Sequence, residues 1–443
     1  MPSTTGGLLT NRENLLYFGW TKQAVWGTPL APTFFWRWLD GSDANPDMKA
    51  TEEREGDTSP HISLVYKNSQ IWGIKIVEYV RPITIGCALE ALLGSGSDTF
   101  TAPTQSTTLS SPIVAGANSF SVAAAIGTTG TGYFNFTPVF AGATYEVQNV
   151  NLASKSGAGP FTYSLVAGYS FSYAHNSSDV VSNGSSHVFT RQTGTYDAYT
   201  IESAFGSSTF GFTPEAFRIQ DCVCTALELA SDAANKAIKA THTWYGAPAT
   251  IKSALSAISQ EGGSTVGAAG GPLTHAMASS AWTVDGATTN NAATIRSFAL
   301  QMKNSTSPEE LLTEGIYAPY YMPGDFDITG NFTCAFQSFN QFNETYYGTA
   351  SPAANALDAP LVGYGSFATT WSAVNLPNAS TLVQDGLNSL AVNMPHIAYK
   401  AGKLTGKLDG KPLMQQVQFR AVKSVALPTP ITLTLINSQS SAY

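Results

Sequence analysis

The sequence predicts a mainly β protein made of two similar β-sandwich or barrel domains, each with one short helix, and a small β domain inserted into the first. Three features support this. Apolar and polar residues alternate over many short segments, helix signals occur twice, and the order of the elements repeats. At 443 residues, the chain is also too long for a single ordinary core.

The strand predictions rest on period-two alternation, which places one side-chain face in a core. Within Ile71–Val80, for example, Trp72, Ile74 and Ile76 fall on one face. The same pattern predicts strands at Thr33–Leu39, Tyr199–Phe205, Arg218–Leu229, Ile295–Lys303, Asp327–Phe336, Leu390–Met394, Met414–Val422 and Ile431–Ile436.

Two segments predict short helices. In Thr84–Leu93 the threonine can cap the first turn, an apolar stripe follows, and Gly94 can end the helix. In Ser351–Leu357 a proline fits the first turn and Pro360 limits the helix. Each predicted helix follows a strand, a loop and a second strand, and further strands come after it.

This repeated order predicts the domain boundaries. Residues 1–98 and 192–248 form the first domain, and residues 249–443 form the second. Residues 99–191 carry few charges and many Ser, Thr, Ala and Gly residues, interspersed with short alternating runs. We expect them to form a small β domain inserted at a surface loop, where whole domains are tolerated when the two ends lie close together.

Composition and charge argue against several functional classes, including DNA-binding, secreted, membrane-spanning and zinc-binding proteins. The net charge is −8, the pI is about 5.3, and no basic stripe occurs, so specific DNA recognition is not expected. The start of the chain is polar and no apolar run could cross a membrane, so neither a signal peptide nor a membrane span is expected. The four cysteines lack zinc-site spacing and are expected to be free, buried thiols.

Catalytic and metal-binding motifs are not found, so no enzyme activity, cofactor or metal is expected. There is no Gly-x-Ser-x-Gly elbow and no phosphate-binding loop. Asp325 and Asp327 with Gly330 match only a fragment of a calcium loop. His242 and His275 have no paired carboxylate nearby in sequence and are expected to be structural. A Ser/His/Asp site formed only by folding stays open.

A long polar segment, Asp40–His61, is predicted to be a loop. It is either simply solvated or becomes ordered against a neighbouring subunit. The second interpretation makes its charged residues candidates for a subunit contact: Asp47, Lys49, Glu52, Glu53, Arg54, Glu55 and Asp57.

Three groups of residues together resemble the major tail tube proteins of long-tailed (siphovirus-like) bacteriophages, of the two-barrel type. The first is Lys22–Thr33 (KQAVWGTPLAPT), similar to the family's aromatic-Gly-Thr-Pro opening, with Lys22-Gln23 where an acidic residue is common. The second comprises Thr108-Leu109, Ala115–Val122, Tyr145–Val147, Gly159–Tyr163 and Ala174-His175, similar to a small inserted β module. The third is Phe298–Asn304 followed by Gly324–Thr333, similar to the second barrel.

The resemblance implies a structural protein of the virion tail, assembled in the host cytoplasm. Stacked rings of three chains, nearly sixfold in appearance, would form the channel for DNA ejection, and the inserted module would project outward. The partners would be other copies, a tape-measure protein, a tail terminator and tail-tip proteins. DNA would pass without specific binding along a neutral or acidic lumen, whose lining residues the sequence does not identify, and the polar loop would contact the next ring.

Other classes stay open at this point. The chain is also compatible with a contractile-system inner tube or a capsid decoration protein. A tail-tip carbohydrate-binding or hydrolytic β protein is a further alternative, in which exposed aromatics such as Trp244 and Tyr245 would line a sugar site. A secreted adhesin is disfavoured by the polar start of the chain.

Overall fold

Strands make up 60% of the structure and helices 5%, which confirms the mainly β class. The structure is a computed structural model. It describes residues 15–32, 34–53, 64–137, 146–205, 215–232, 234, 237–252, 255–256, 272–284, 288–291, 295–305, 307–309, 320–322, 324–336, 339–349, 351, 363–374, 384–405, 413–423, 426, 428–439 and 441–443.

The first half of the chain contains the inserted segment between its helix and its later strands. Its own elements are β1 (Leu15–Lys22), β2 (Phe34–Trp36), β3 (Asp43–Glu53), β4 (Leu64–Tyr79), α1 (Ile85–Leu93), β5 (Asp98–Thr101), β12 (Ser185–Thr190), β13 (Tyr199–Phe205), β14 (Glu215–Asp232) and β15 (Lys239–Lys252). The inserted strands are β6 (Ser106–Thr108), β7 (Ser119–Val122), β8 (Thr131–Thr137), β9 (Glu146–Ser156), β10 (Phe161–Leu165) and β11 (Val180–Ser182).

The second half contains ten strands and a helix among the described residues. They are β16 (Leu273–Val284), β17 (Thr288–Asn291), β18 (Ile295–Asn304), β19 (Ser307–Glu309), β20 (Tyr320–Met322), β21 (Phe326–Ala335), α2 (Phe339–Tyr347), β22 (Tyr364–Val374), β23 (Gln384–Thr405), β24 (Met414–Ala421) and β25 (Thr432–Asn437).

The first half closes into a barrel. Its strands pair antiparallel in the order β2-β1-β13-β14-β15-β4. A bridge between Trp38 and Glu78 returns the chain from β2 to β4, and the Leu39 N–H donates to the Val77 carbonyl at 2.7 Å. The rings of Trp20, Trp36 and Trp244 pack in sequence inside, with centroid separations of 5.5 and 5.7 Å.

The second half repeats this pairing order as β17-β16-β22-β23-β24-β21-β18. The two helices start at 85 and 339 and end at 93 and 347, so both ends are 254 positions apart. Equivalent strand pairs keep the register: Ala44 lies opposite Ile74, and Met302 lies opposite Ile328. The two halves are therefore structural repeats of one unit.

One hydrophobic core extends through both halves, because two pairs of strands join them. The end of β14 pairs with β18, and β12 pairs with β25. A continuous cluster of buried residues accordingly includes Trp36 and Trp244 from the first half and Phe298, Trp371 and Leu433 from the second.

The inserted residues form a separate six-stranded sheet in the order β6-β11-β8-β9-β10-β7, with a hydrophobic core of their own. Its position against β23 is fixed by a buried amide pair. The Asn388 Nδ2 donates to the Asn135 Oδ1 at 3.2 Å, and the Asn135 Nδ2 returns a longer bond of 3.5 Å.

Several local predictions need correction. The segment Asp40–His61 is not a continuous loop, because Asp43–Glu53 is strand β3 of a long hairpin with β4. A helix that the sequence did not predict occupies Phe339–Tyr347, and the predicted helix at Ser351–Leu357 lies outside the described residues apart from Ser351. Within the predicted insert, β12 belongs to the large sheet instead.

The first helix lies where the sequence predicts it, with one difference at its start. It ends at Gly94, whose φ of 102° suits glycine and whose N–H donates to the Glu90 carbonyl. Thr84 makes no capping hydrogen bond with its side chain. Its hydroxyl instead donates to the Glu78 carboxylate at 3.3 Å.

Candidate functional site: the sheet that spans both halves

The junction between β14 and β18 makes one uninterrupted sheet across the two repeats. Its strand order is β3-β4-β15-β14-β18-β21-β24-β23. We call these eight strands the spanning sheet. Seven residue pairs form the junction, from Ala226 opposite Lys303 to Asp232 opposite Ser297.

One face of the spanning sheet is buried in the core. Ile74, Ile76, Leu227, Leu229 and Leu300 lie on it with at most 1% of each residue exposed. The first helix packs against β14 on this side, and the second helix packs against β23. Strict alternation in β4, β15 and β18 produces this arrangement, since successive side chains point to opposite faces.

The opposite face carries small and uncharged polar residues. Tracing paired residues across the strands gives one row of this face: Val77, Thr241, Glu228, Gln301, Thr329 and Arg420. Other half-buried or exposed uncharged residues on the face are Ala226, Ala230, Thr243, Ser297, Ala299, Asn331, Thr333, Gln416 and Gln418. We call this surface the open face.

Charges on the open face are mixed in sign. The basic residues are Lys75, Lys239, Lys303, Lys400, Lys403 and Arg420, and the acidic residues are Asp43, Glu228, Asp232 and Asp327. Arg420 and Asp327 form an ion pair at 2.7 Å. Lys75 lies opposite Asp43 and Lys303 lies opposite Asp327 on neighbouring strands, so acidic residues interrupt the basic ones.

The open face carries a hollow beside the junction. A cavity of about 290 Å³ is lined jointly by residues of β14, β18, β21, β24 and β23, among them Glu228, Gln301 and Lys400. Gly330, which has no side chain, is among the lining residues and leaves room between the longer ones. The structure also contains a half-barrel among its large antiparallel sheets.

Both outer strands of the spanning sheet have an unpaired edge in the described part of the chain. Strand β3 pairs only with β4. Strand β23 pairs with β22 up to Ala398, and Tyr399 donates its N–H to the Gly363 carbonyl, but residues 400–405 pair only with β24. Exposed strand edges of this kind are templates for pairing with another chain.

The residues predicted to contact a neighbouring ring are only partly described. Asp47, Lys49, Glu52 and Glu53 lie in β3, where they pair in register with Ile71, Ser69, Val65 and Leu64 of β4. Arg54, Glu55 and Asp57 lie outside the described residues. The described four thus belong to the outer part of a hairpin, a more ordered setting than the predicted loop.

A buried polar cluster ties the first barrel to the segment that follows it. Glu202 accepts hydrogen bonds from Tyr17 at 2.6 Å, Arg218 at 2.9 Å and the Ser256 hydroxyl at 2.8 Å. Burial opposes ionisation of Glu202, but these hydrogen bonds outweigh it and hold the pKa of Glu202 below its usual value. The ionised carboxylate of Glu202 therefore has a structural role, because its hydrogen bonds connect the barrel to Ser256.

Three histidines contact carboxylates in the interior. His187 Nδ1 lies 2.8 Å from Asp98, and His242 Nε2 lies 3.6 Å from Glu78. His175 lies between Asp179 and Glu146 inside the inserted module. All three histidine side chains are fully buried, and His187 Nε2 has no hydrogen-bond partner among the described residues. These contacts stabilise the interior and leave no nitrogen accessible to a substrate.

Other candidates from the sequence have structural positions. Trp244 is fully buried and donates from its indole nitrogen to His242, so its proposed place in an exposed sugar site is wrong. Tyr245 is half-buried on the open face. All four cysteines are buried free thiols. Among the described residues, no cluster of metal-ligating side chains occurs, and no helix is long and apolar enough to span a membrane.

The sequence matches no family model and no curated protein. The spanning sheet joins the two repeats and presents the open face, and it is the candidate functional site. Sequence reasoning located most of its strands but missed the open face as a surface. The available signal was the composition of the outward positions in the alternating strands, which are Thr, Gln, Asn and Ala more often than charged residues.

Proposed function

We propose that the chain is a structural subunit of the tail tube of a long-tailed bacteriophage, where copies form rings around a DNA channel. The observation that carries the proposal is the spanning sheet, which is continuous through both repeats, has a hollow on its open face and is unpaired at both outer edges in the described part of the chain. Such a sheet continues from copy to copy when the edges pair, and a heterologous contact that closes by rotation produces a ring.

The open face suits the lining of a DNA channel. A lumen rich in Lys and Arg would bind phosphates and retain the genome. The open face instead combines Ala, Ser, Thr, Asn and Gln with charges of both signs. Acidic residues lie opposite basic ones on neighbouring strands and interrupt the positive charge, so DNA would pass without specific binding.

The internal repeat supports three chains per ring. Each chain contributes two equivalent units that are already joined in the way that neighbouring copies would be joined. Three copies then supply six quasi-equivalent positions. The inserted module has its own core and attaches to β23 at Asn388, outside residues 397–405 through which β23 joins the spanning sheet, which suits an outward position.

Each repeat also carries one hairpin arm that could contact the next ring. In the first repeat the arm is the far part of β3 and β4, with Ala50 opposite Lys67. In the second it is β19 and β20, with Pro308 opposite Tyr321. A ring of three chains would present six such arms. Tape-measure, terminator and tail-tip proteins are the further partners under this proposal.

Negative-stain electron microscopy of the purified full chain at high concentration tests the proposal. We expect rings or striated hollow tubes, with axial averages that are threefold and nearly sixfold. A matched variant that lacks the inserted module should form particles with the same inner diameter and a smaller outer diameter. Compact monomers at every concentration, even after addition of purified fractions that contain phage tail proteins, would contradict the tube function.

A further inference from the structure

We propose that neighbouring copies join by antiparallel pairing of the β23 edge of one copy with the β3 edge of the next. The register repeats that of the internal β14–β18 junction and places Ala401 opposite Asp43 of the second copy. This inference rests on the proposed function, and it specifies which strands meet and in which register.

The β23 side of the register follows from strand pairing in the two repeats. Glu228 lies opposite Thr241, which lies opposite Val77. Ala401 lies opposite Gln418, which lies opposite Asn331. Positions 77 and 331 differ by 254, the same separation that relates the two helices. Ala401 is therefore the counterpart of Glu228.

The β3 side follows in the same way. Gln301 lies opposite Thr329, and Asp43 lies opposite Lys75. Positions 75 and 329 again differ by 254, so Asp43 is the counterpart of Gln301. Because Glu228 lies directly opposite Gln301 inside the chain, the repeated junction places Ala401 opposite Asp43 between chains.

The buried side of the junction has matching counterparts. Inside the chain Leu227 lies opposite Met302, and both are fully buried. The equivalent positions between chains are Tyr399, which is 4% exposed, and Ala44, which is 8% exposed. A large side chain on one edge thus meets a small one on the other, as close packing across paired strands requires.

The two edges carry opposite charge. Lys400 and Lys403 lie on the β23 edge, and Asp40 and Asp43 lie on the β3 side; all four are exposed. None of the four has an ion-pair partner among the described residues. Pairing in this register brings Lys400 near Asp43 and Lys403 near Asp40. Opposite charges on complementary edges favour the correct pairing and disfavour pairing of like edges.

The contact between chains is shorter than the internal junction. Residues Asp40 and Gly41 form a turn, with a φ of 93° at the glycine, that interrupts the edge before β3 begins. The strand β18 has no such turn and pairs with β14 over seven residues. Backbone pairing between chains therefore centres on residues 42–45, and the four charges add to it.

Cysteine cross-linking of the full chain tests the register. Asp43→Cys combined with Ala401→Cys should give a ladder of covalent multimers under mild oxidation or with a short bis-maleimide. Glu228→Cys combined with Gln301→Cys is the matched internal control and should react within one chain. Asp43→Cys combined with Thr405→Cys is displaced by about 13 Å along the strand and should react poorly.

Charge exchange is a second test that needs no new cysteine. Lys400→Glu with Lys403→Glu should raise the critical concentration for assembly about tenfold, because like charges then meet at the edge. Adding Asp40→Lys and Asp43→Lys to the same chain should restore assembly. Circular dichroism and the melting temperature check that the exposed substitutions leave the fold intact.

The results of these experiments distinguish a failure of the proposed strand pairing from a failure of the proposed tube function. Rings or tubes in which the 43–401 pair stays unreactive, or reacts no better than the 43–405 pair, would overturn the register and leave the tube proposal standing. Failure of the fourfold charge exchange to recover assembly would count against the pairing in the same way. A wild-type chain that never assembles, while the 228–301 pair does cross-link, would overturn both.

Discussion

Shortening Leu229 to alanine should destabilise both repeats together, since this residue lies in the core at their junction. Leu229 is fully buried, opposite Leu300 on one side and Ala240 on the other. The substitution removes three buried carbons, which at about 0.8 kcal/mol each amounts to about 2.4 kcal/mol of transfer free energy. The residual cavity brings the expected loss in unfolding free energy to about 3–4 kcal/mol.

Urea unfolding followed by tryptophan fluorescence measures this loss. Trp36 and Trp244 report on the first repeat and Trp371 on the second, and all belong to one core. A single transition should therefore shift to lower urea, with the same midpoint in every single-tryptophan variant.

The matched control is Leu413→Ala at an exposed leucine, which should change the unfolding free energy by less than about 0.5 kcal/mol. Two separate transitions in the Leu229→Ala protein, with only one of them shifted, would refute the shared core. A loss below about 1 kcal/mol would refute the burial of Leu229.

Three further predictions concern other parts of the molecule. The pKa of Glu202 is lower in the folded than in the unfolded chain, so its contribution to folding stability is present above the unfolded pKa and is lost as pH falls. Glu202→Gln should therefore flatten the acid side of a curve of unfolding free energy against pH. An unchanged slope would argue against an ionised Glu202. Burial raises the pKa of the Cys87, Cys222 and Cys224 thiols, so they should resist a thiol reagent at pH 8 until the chain unfolds, and rapid labelling of the native protein would contradict this. Replacing Ser106–Ser182 with an Asn-Gly turn should leave the two repeats folded, because the Asn183 N–H donates to the Gln105 carbonyl at 3.1 Å and holds the two ends of the module together. Loss of cooperative thermal unfolding in this variant would show that the repeats need the module to fold.

Alternation of apolar and polar residues located several strands, among them Ile295–Asn304, whose burial alternates along the strand. Tyr199–Phe205 has the predicted bounds, and the first helix begins one residue later than predicted. Strand β3 was missed because Asp43–Glu53 contains Pro46 and several charges, which locally favour a loop. Its pairing with the long strand β4 outweighs that preference, and such a tertiary contact is not visible in a local window.

The helix Phe339–Tyr347 was not predicted from local pattern. Ser351-Pro352 resembles a helix start, whereas Phe339–Tyr347 is far less apolar than the first helix and contains two asparagines. The repeat would have located it, because it follows its strand with the spacing seen in the first half. Phe342 and Tyr346 stack at 5.6 Å across one turn, a contact that supports this helix.

The candidate site could be predicted only in part, because it depends on pairing between distant segments. The alternation in β18 shows that Gln301 and Leu300 point to opposite faces, but not what either face meets. Only the pairing of residues 226–232 with 297–303 joins the repeats and makes the open face continuous. The composition of the outward positions indicates the open face, whereas register equivalence between the repeats identifies its edges.

A cryo-electron microscopy map of the assembled particles tests the central claim most directly. We predict a hollow ring in which the spanning sheet continues from copy to copy, with Glu228, Gln301 and Thr329 facing the channel. Particles in which this face points outward, or packs against another protein layer with no channel, would contradict the account.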